Sequence, residues 1–116
     1  MNFDEAVSAH TKWKVRLRMV LNGTEKADAA VVSKDNQCDL GKWIHGEGSK
    51  HAGLPSYKAL LAEHAHFHKC AAEVVAKANA GNKAAAEALL GTDGSFSHAS
   101  NATIKAILKM KTEAVA

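Results

Sequence analysis

Histidine and cysteine are the residues of this chain with the clearest capacity to bind a metal. The sequence has seven histidines and two cysteines in 116 residues, and His64, His66 and His68 fall within five positions. In an α-helix, side chains four residues apart project from the same face, whereas a residue midway between them points away. The spacing therefore predicts that His64 and His68 can bind one ion together and that His66 cannot join them.

The histidine pair lies among apolar residues at helical spacing. Leu61, Phe67 and Ala71 share its face, and His10 lies on a similar apolar stripe near the N-terminus. Burying an unpartnered polar group costs about 1–3 kcal/mol, so all three rings need partners. One zinc ion would satisfy them together, although the simpler interpretation of any one of them is a hydrogen-bonded core histidine.

Cys38 is the candidate fourth ligand, because it precedes a predicted tight turn close to Trp43. Its thiolate would complete a closed tetrahedral shell, and imidazole with thiolate suits zinc better than magnesium or calcium, which prefer oxygen. The alternative for Cys38 is an ordinary buried thiol. Cys70 shares its helix side with His66 and is predicted to be a surface or interface thiol. The other histidines, His45, His51 and His98, are predicted to be solvated.

The periodicity of apolar residues and the positions of capping residues predict an all-α antiparallel bundle. Thr24 and Asp39 are candidate N-caps of two short helices, and Pro55 is well placed to open a long helix. The predicted elements are a helix from Phe3 to about Asn22, a second from Thr24 to Val32, a single turn after Asp39, a glycine-rich loop to Gly53, a long helix from Pro55 to about Gly81, a short helix from Asn82 to Leu90, and a last helix with Phe96, Ile104, Ile107 and Leu108 inward.

Composition limits the function classes. The chain is 47% hydrophobic and 23% charged with a net charge of +3, which is typical of one globular domain over residues 1–116. No apolar run reaches the roughly 18 residues of a membrane span, and the N-terminus does not resemble a signal peptide. We expect a soluble, cytoplasmic protein. The basic residues are scattered, so nucleic-acid binding is not expected.

Three short motifs occur in order along the chain. They are His10-x-x-Trp13-Lys14, Cys38-x-Leu40-Gly41-x-Trp43 and His64-x-x-Phe67-His68. In this order and with these intervals they resemble the chemoreceptor zinc-binding (CZB) domain. The resemblance implies an antiparallel four-helix bundle with an additional short helix that carries the cysteine motif, and zinc held by His10, Cys38, His64 and His68.

The resemblance also implies a function. CZB domains are bacterial cytoplasmic sensor modules, commonly attached to chemotaxis receptors or diguanylate cyclases, and several sense zinc or oxidants such as hypochlorous acid. Cys38 would then be the redox-sensitive residue, whose oxidation frees a turn tethered mainly by sulfur and Trp43. Asp35, or else Asp39, is the expected acidic neighbour of the site. The chain could be either a free-standing module or a module excised from a longer protein, and the sequence is compatible with both.

The resemblance further implies a homodimer, because sensor modules of this kind usually serve dimeric receptors or cyclases, and the helix surface near Cys70 is one candidate interface. We expect no enzymatic activity, because four protein ligands leave no open position on zinc for water or substrate. Two alternatives remain: a zinc-dependent hydrolase that uses His10, His64 and His68 with Cys38 unbound, and a purely structural zinc bundle.

Overall fold

The computed structural model describes the backbone of residues 2–115 and the side chains of residues 2–113. Over that range the chain is helical and contains no β-strand, which confirms the all-α prediction. The helices are α1 (Phe3–Leu21), α2 (Ala29–Val32), α3 (Asp39–His45), a 3₁₀ helix (Glu47–His51), α4 (Pro55–Asn79), α5 (Lys83–Leu90) and α6 (Ser95–Val115).

Local signals account for the ends of the longer helices. The Asn2 side chain accepts a hydrogen bond from the Glu5 amide at 3.1 Å and so caps α1. Gly23 and Gly81, which follow α1 and α4, both have φ near +80°, a left-handed conformation that favours glycine and stops a helix. Pro55 occupies the first turn of α4, where its missing N–H costs nothing.

Two predicted N-caps are wrong. The second helix begins at Ala29 rather than after Thr24, because the Thr24 amide turns back to the Met19 carbonyl and Asp28 caps the Ala30 amide instead. The cap of α3 is Cys38 rather than Asp39, and the tract predicted as a loop before Gly53 contains the 3₁₀ helix.

The long helices α4 and α6 run antiparallel. Ser56 near the start of α4 lies 3.5 Å from the Met110 sulfur near the end of α6, and the Thr103 hydroxyl donates to the Glu63 carbonyl at 3.0 Å. Helix α1 is antiparallel to α6, with Asp4 paired to Lys111 at 2.7 Å. Helices α1 and α4 therefore run parallel to each other.

The fourth side of the bundle is a broken segment. Residues 27–45 run antiparallel to α4: the Asn79 side chain donates to the Ala27 carbonyl at 3.1 Å, and the Tyr57 hydroxyl donates to the Ile44 carbonyl at 2.6 Å. This side consists of α2, a turn over residues 33–38, and α3. The bundle thus has three long helices, and its fourth side is interrupted just before Cys38.

Three side chains are placed differently from the prediction. Cys70 is only 4% exposed, because α1, α2, α5 and α6 all pack on α4 and widen its buried face beyond one stripe. Leu108 is 46% exposed and Ile104 is partly exposed, because α6 buries a narrower stripe that includes Thr103, Ile107 and Met110. Cys70 is therefore a core residue and not a surface thiol.

Two hydrophobic clusters divide the core along α4. One centres on Phe67, Val74 and Phe96, and the other contains Leu40 and Leu60. The buried histidines lie at the junction between them. Across the described residues, none of the helices combines the length and the apolar character that crossing a bilayer requires.

Candidate metal centre

Helix α4 supplies two of the candidate ligands. His64 and His68 are 0% and 2% exposed, and their Nε2 atoms lie 3.1 Å apart. His66, between them in sequence, is exposed on another side of the helix. The helical period thus separates the pair from His66 as predicted.

Cys38 reaches the histidine pair from the break between α2 and α3. Its Sγ lies 3.2 Å from His64 Nε2 and 3.7 Å from His68 Nε2. The same sulfur accepts a hydrogen bond from the Gly41 amide at 3.3 Å as the N-cap of α3. The Asp35 carbonyl comes so close to Gly41 that a Cβ there would overlap it, so glycine permits the fold of this turn.

His10 joins the cluster from α1. It is 2% exposed, and its ring centroid lies 5.2 Å from that of His64. One ligand atom from each of His10, Cys38, His64 and His68 falls within 4.8 Å of the others. Three separate parts of the chain therefore place three imidazoles and one thiol around a single point.

Backbone carbonyls determine which nitrogen of two rings is free. His10 Nδ1 lies 2.8 Å from the Ala6 carbonyl, and His68 Nδ1 lies 3.0 Å from the Val32 carbonyl. A carbonyl oxygen only accepts, so both Nδ1 atoms donate and both Nε2 atoms carry a lone pair. His10 Nε2 is buried and finds no hydrogen-bond partner among the described residues. A metal ion would supply a partner for this lone pair.

The spacing of the ligand atoms suits zinc. Tetrahedral zinc with bonds of about 2.05 Å to nitrogen and 2.3 Å to sulfur separates its ligands by roughly 3.3–3.6 Å. The separations of 3.1, 3.2 and 3.7 Å among His64, His68 and Cys38 in the structure lie close to those values. These three residues therefore lie at separations that would fit the ion, and the His10 ligand atom lies within 4.8 Å of them.

Burial keeps the cluster uncharged without a metal. Burial lowers the pKa of His10 and the pKa of His68. At His64, burial acts together with the neighbouring His68 and His10 rings, and the pKa falls to about 3. Burial likewise raises the pKa of the Cys38 thiol. Near neutral pH the imidazoles are thus free to bind a cation, and a bound divalent cation would favour the Cys38 thiolate.

The sequence around the cluster also matches a known protein family. The family model described as the chemoreceptor zinc-binding domain matches residues 10–75, more than half of the chain and a range that contains all four clustered residues. The chain belongs to the CZB family. CZB is a regulatory zinc-binding domain found in chemoreceptor-type signalling proteins and is not a known enzyme family. Zinc is the cofactor that the family and the cluster together support. Neither the curated proteins nor the solved structures give a match.

Asp35 and Asp39, the two acidic residues expected near the site, lie beside the four-residue cluster and not within it. The Asp35 carboxylate contacts His45 Nε2 at 3.3 Å, and its charge raises the pKa of His68 against the larger effect of burial. Asp39 is exposed in the first turn of α3, where it adds to the effect of burial on the pKa of Cys38.

The remaining histidines stay outside the cluster. His45 and His98 are exposed as predicted, whereas His51 is half-buried with its ring 6.0 Å from that of Trp43. The carbonyls that orient the candidate ligands were not predicted from the sequence. Ala6 lies one helical turn before His10, so helical periodicity could have found it, but no sequence signal pointed to Val32.

Proposed function

We propose that this CZB domain is a cytoplasmic sensory module in which His10, Cys38, His64 and His68 hold one zinc ion and Cys38 reacts with oxidants. The observation that carries the proposal is the convergence of these four ligand atoms within 4.8 Å from three parts of the chain. Such a closed shell suits regulation better than catalysis.

The position of Cys38 favours four ligands over the three-histidine site of a hydrolase. A sulfur 3.2 Å from His64 Nε2 would be hard to leave out of the coordination of an ion bound there. X-ray absorption of the zinc-loaded protein tests this directly. A zinc–sulfur distance of about 2.3 Å is expected, whereas a shell of nitrogen and oxygen alone would favour the hydrolase.

Cys38 is proposed as the redox-sensitive residue because zinc would hold its sulfur as a thiolate, the nucleophilic form. The sulfur attacks the chlorine of hypochlorous acid and hydroxide leaves. Water then displaces chloride from sulfur and loses a proton to solvent, which yields the sulfenic acid, a poorer ligand for zinc. Cys70 is 4% exposed and burial raises its pKa, so it should react more slowly.

The segment that oxidation would release is the turn over residues 33–38. We expected sulfur and Trp43 to be the main tethers of the cysteine turn, but α3 is also anchored by Leu40 and Ile44, which are 2% and 0% exposed. The turn itself is largely exposed. A local change there could be read by a chemotaxis receptor, a diguanylate cyclase or a second copy of the chain.

Peptide mass spectrometry after substoichiometric hypochlorous acid, combined with a zinc-release assay, tests the redox step. Preferential oxidation of Cys38 with loss of zinc is expected. If Cys70 is oxidised first, or if Cys38 is oxidised without zinc release, the proposed redox switch is contradicted and a purely structural zinc site is favoured.

A further inference from the structure

Two cavities flank Cys38 and together form one groove along α1. The larger, about 530 Å³, lies between α1 and residues 37–40, and the smaller, about 180 Å³, lies between α1, α2 and His68. Both are lined by Trp13, Arg16, Gln37 and Cys38. Solvent therefore approaches the candidate zinc-binding sulfur through two adjoining lobes.

The two lobes differ in charge. The smaller lobe is lined by Arg16 and Lys34 and by no acidic side chain. The larger lobe shares Arg16 but also contains Glu5 and Asp39. Among the lining residues, the smaller lobe thus carries only positive charge, and two carboxylates lie just outside the lining: Glu25, which pairs with Arg16, and Asp35, whose charge acts on His68.

Two contacts position Arg16 at the groove. Its guanidinium carbon lies 4.7 Å from the centroid of the Trp13 ring, and its Nε donates to Glu25 Oε1 at 2.9 Å. The guanidinium has five N–H donors, and among the described residues only Nε is engaged in a hydrogen bond. Its Nη groups therefore have donors available for an incoming anion.

We propose that the smaller lobe is an anion-selective entrance through which small anionic electrophiles reach Cys38, with Arg16 and Lys34 as the residues that set this preference. The proposal rests on the proposed function in so far as Cys38 is the reactive residue. It adds a selectivity that zinc binding alone does not require: the lobe favours a negatively charged reagent over a neutral one of the same size.

Iodoacetate and iodoacetamide provide the probe, because they differ chiefly in charge. With either reagent the Cys38 sulfur forms a bond to carbon while the carbon–iodine bond breaks and iodide leaves. Peptide mass spectrometry of the zinc-loaded protein gives the rate at Cys38, and the ratio of the two rates measures the preference for the anion. Zinc content is determined on the same samples.

Variants of single charges test the assignment. In water, a unit charge acting on an anion over a distance of about 6 Å changes a rate about threefold. Arg16→Gln and Lys34→Gln are therefore each expected to lower the rate ratio, by up to about that factor. Glu25→Gln removes a carboxylate that partly neutralises Arg16 and should raise the ratio. Arg18→Gln, an exposed position on the same helix that does not line the groove, is the matched control. In the wild type the ratio should fall as salt is added.

The outcomes separate the two proposals. The proposed anion-selective entrance is wrong if neither Arg16→Gln nor Lys34→Gln lowers the rate ratio, or if Arg18→Gln lowers it equally. In that case, zinc in the purified protein would still support the metal site. If the wild type binds no zinc, the proposed function fails whatever the ratio shows. A salt-independent ratio would also contradict an electrostatic entrance.

Discussion

At the residue scale, the candidate metal centre is held by complementary polar contacts. His10 and His68 each donate from Nδ1 to a carbonyl, which directs Nε2 of each ring away from that backbone contact. His64 shares its helix face with His68, while His66 does not. A change at any proposed ligand should therefore affect zinc, and a change at His66 should not.

Replacing His64 or His68 with alanine is expected to remove zinc from the purified protein, because each loses a ligand from a closed shell. His66→Ala removes the same ring from an exposed position of the same helix and should leave about one zinc per chain. Elemental analysis after gel filtration measures both. Zinc loss in the His66 variant alone would contradict the proposed assignment of ligands.

The burial of His64 predicts how the metal-free protein responds to pH. Its pKa is about 3 in the folded chain and near 6.5 when unfolded, so between these values the unfolded chain binds the extra proton. The free energy of unfolding should therefore fall as the pH is lowered from 6.5 towards 3, by about 1.4 kcal/mol per pH unit for this group. Urea denaturation in a chelator measures the slope.

Two substitutions isolate the contribution of His64 to that slope. His64→Leu should flatten the dependence by about one proton, because a leucine cannot take up the charge on unfolding. His98→Gln changes an exposed histidine and should leave the slope as in the wild type. An unchanged slope in His64→Leu would show that His64 titrates normally in the folded protein.

At the scale of elements, the cysteine turn depends on backbone contacts as much as on the side chain. Cys38 both caps α3 and contacts the histidine pair, so the start of α3 and the position of the sulfur are coupled. The Asp35 carbonyl packs against Gly41, which lets the turn fold back over the helix. The turn and α3 therefore form one unit.

Gly41→Ala should displace the turn, because its Cβ would overlap the Asp35 carbonyl, a backbone atom that cannot rotate away. We expect at least tenfold weaker zinc binding with α3 still anchored by Leu40 and Ile44. Competition with a chromophoric chelator measures the affinity. Gly53→Ala is the control, because a Cβ there meets open space. Equal zinc affinity in both variants would argue against the role of Gly41.

At the scale of the whole molecule, the proposed ligands join three parts of the chain that are far apart in sequence. Helix α1 contributes His10, the interrupted fourth side contributes Cys38, and α4 contributes the histidine pair. An ion held by all of them would link the two hydrophobic clusters across their junction. Metal binding and folding should therefore be coupled.

Zinc is expected to raise the free energy of unfolding by about 2.7 kcal/mol when its free concentration is 100 times the dissociation constant. Chemical denaturation with buffered zinc and with a chelator measures the difference. His68→Ala should show little of it, whereas His66→Ala should match the wild type. A wild type that is equally stable in both buffers would contradict a metal held by three parts of the fold.

A homodimer remains an expectation, but its interface cannot centre on the buried Cys70. Val15 and Met19 offer a different surface, because they lie one turn apart on α1 and are 58% and 43% exposed. Light scattering at tens of micromolar should give twice the mass of one chain, and Val15→Asp with Met19→Lys should halve it. Thr11→Asp with Lys12→Glu, at exposed positions earlier on α1, serves as a control. A wild-type protein that is monomeric at this concentration would contradict the predicted homodimer.

The sequence was sufficient for most features that depend on short-range periodicity and on the ends of the longer helices, although it misplaced the caps of α2 and α3. It predicted the ends of α1, α4 and α5 from Asn22-Gly23, Pro55 and Asn82, and it separated His64 and His68 from His66. These follow from the helical repeat and from local hydrogen bonds, which act within four residues. The ordered motifs around His10, Cys38 and His64 also identified the family.

Only the tertiary structure decided what depends on contacts between distant segments. Cys70 is buried and Leu108 is exposed because the number of helices packed on α4 and α6 sets how wide each buried face is. The Val32 carbonyl reaches His68 across 36 positions, and the groove beside Cys38 lies between α1 and a segment that follows it in the chain. Helical periodicity carries no information on such long-range approaches, because they depend on how the whole bundle packs.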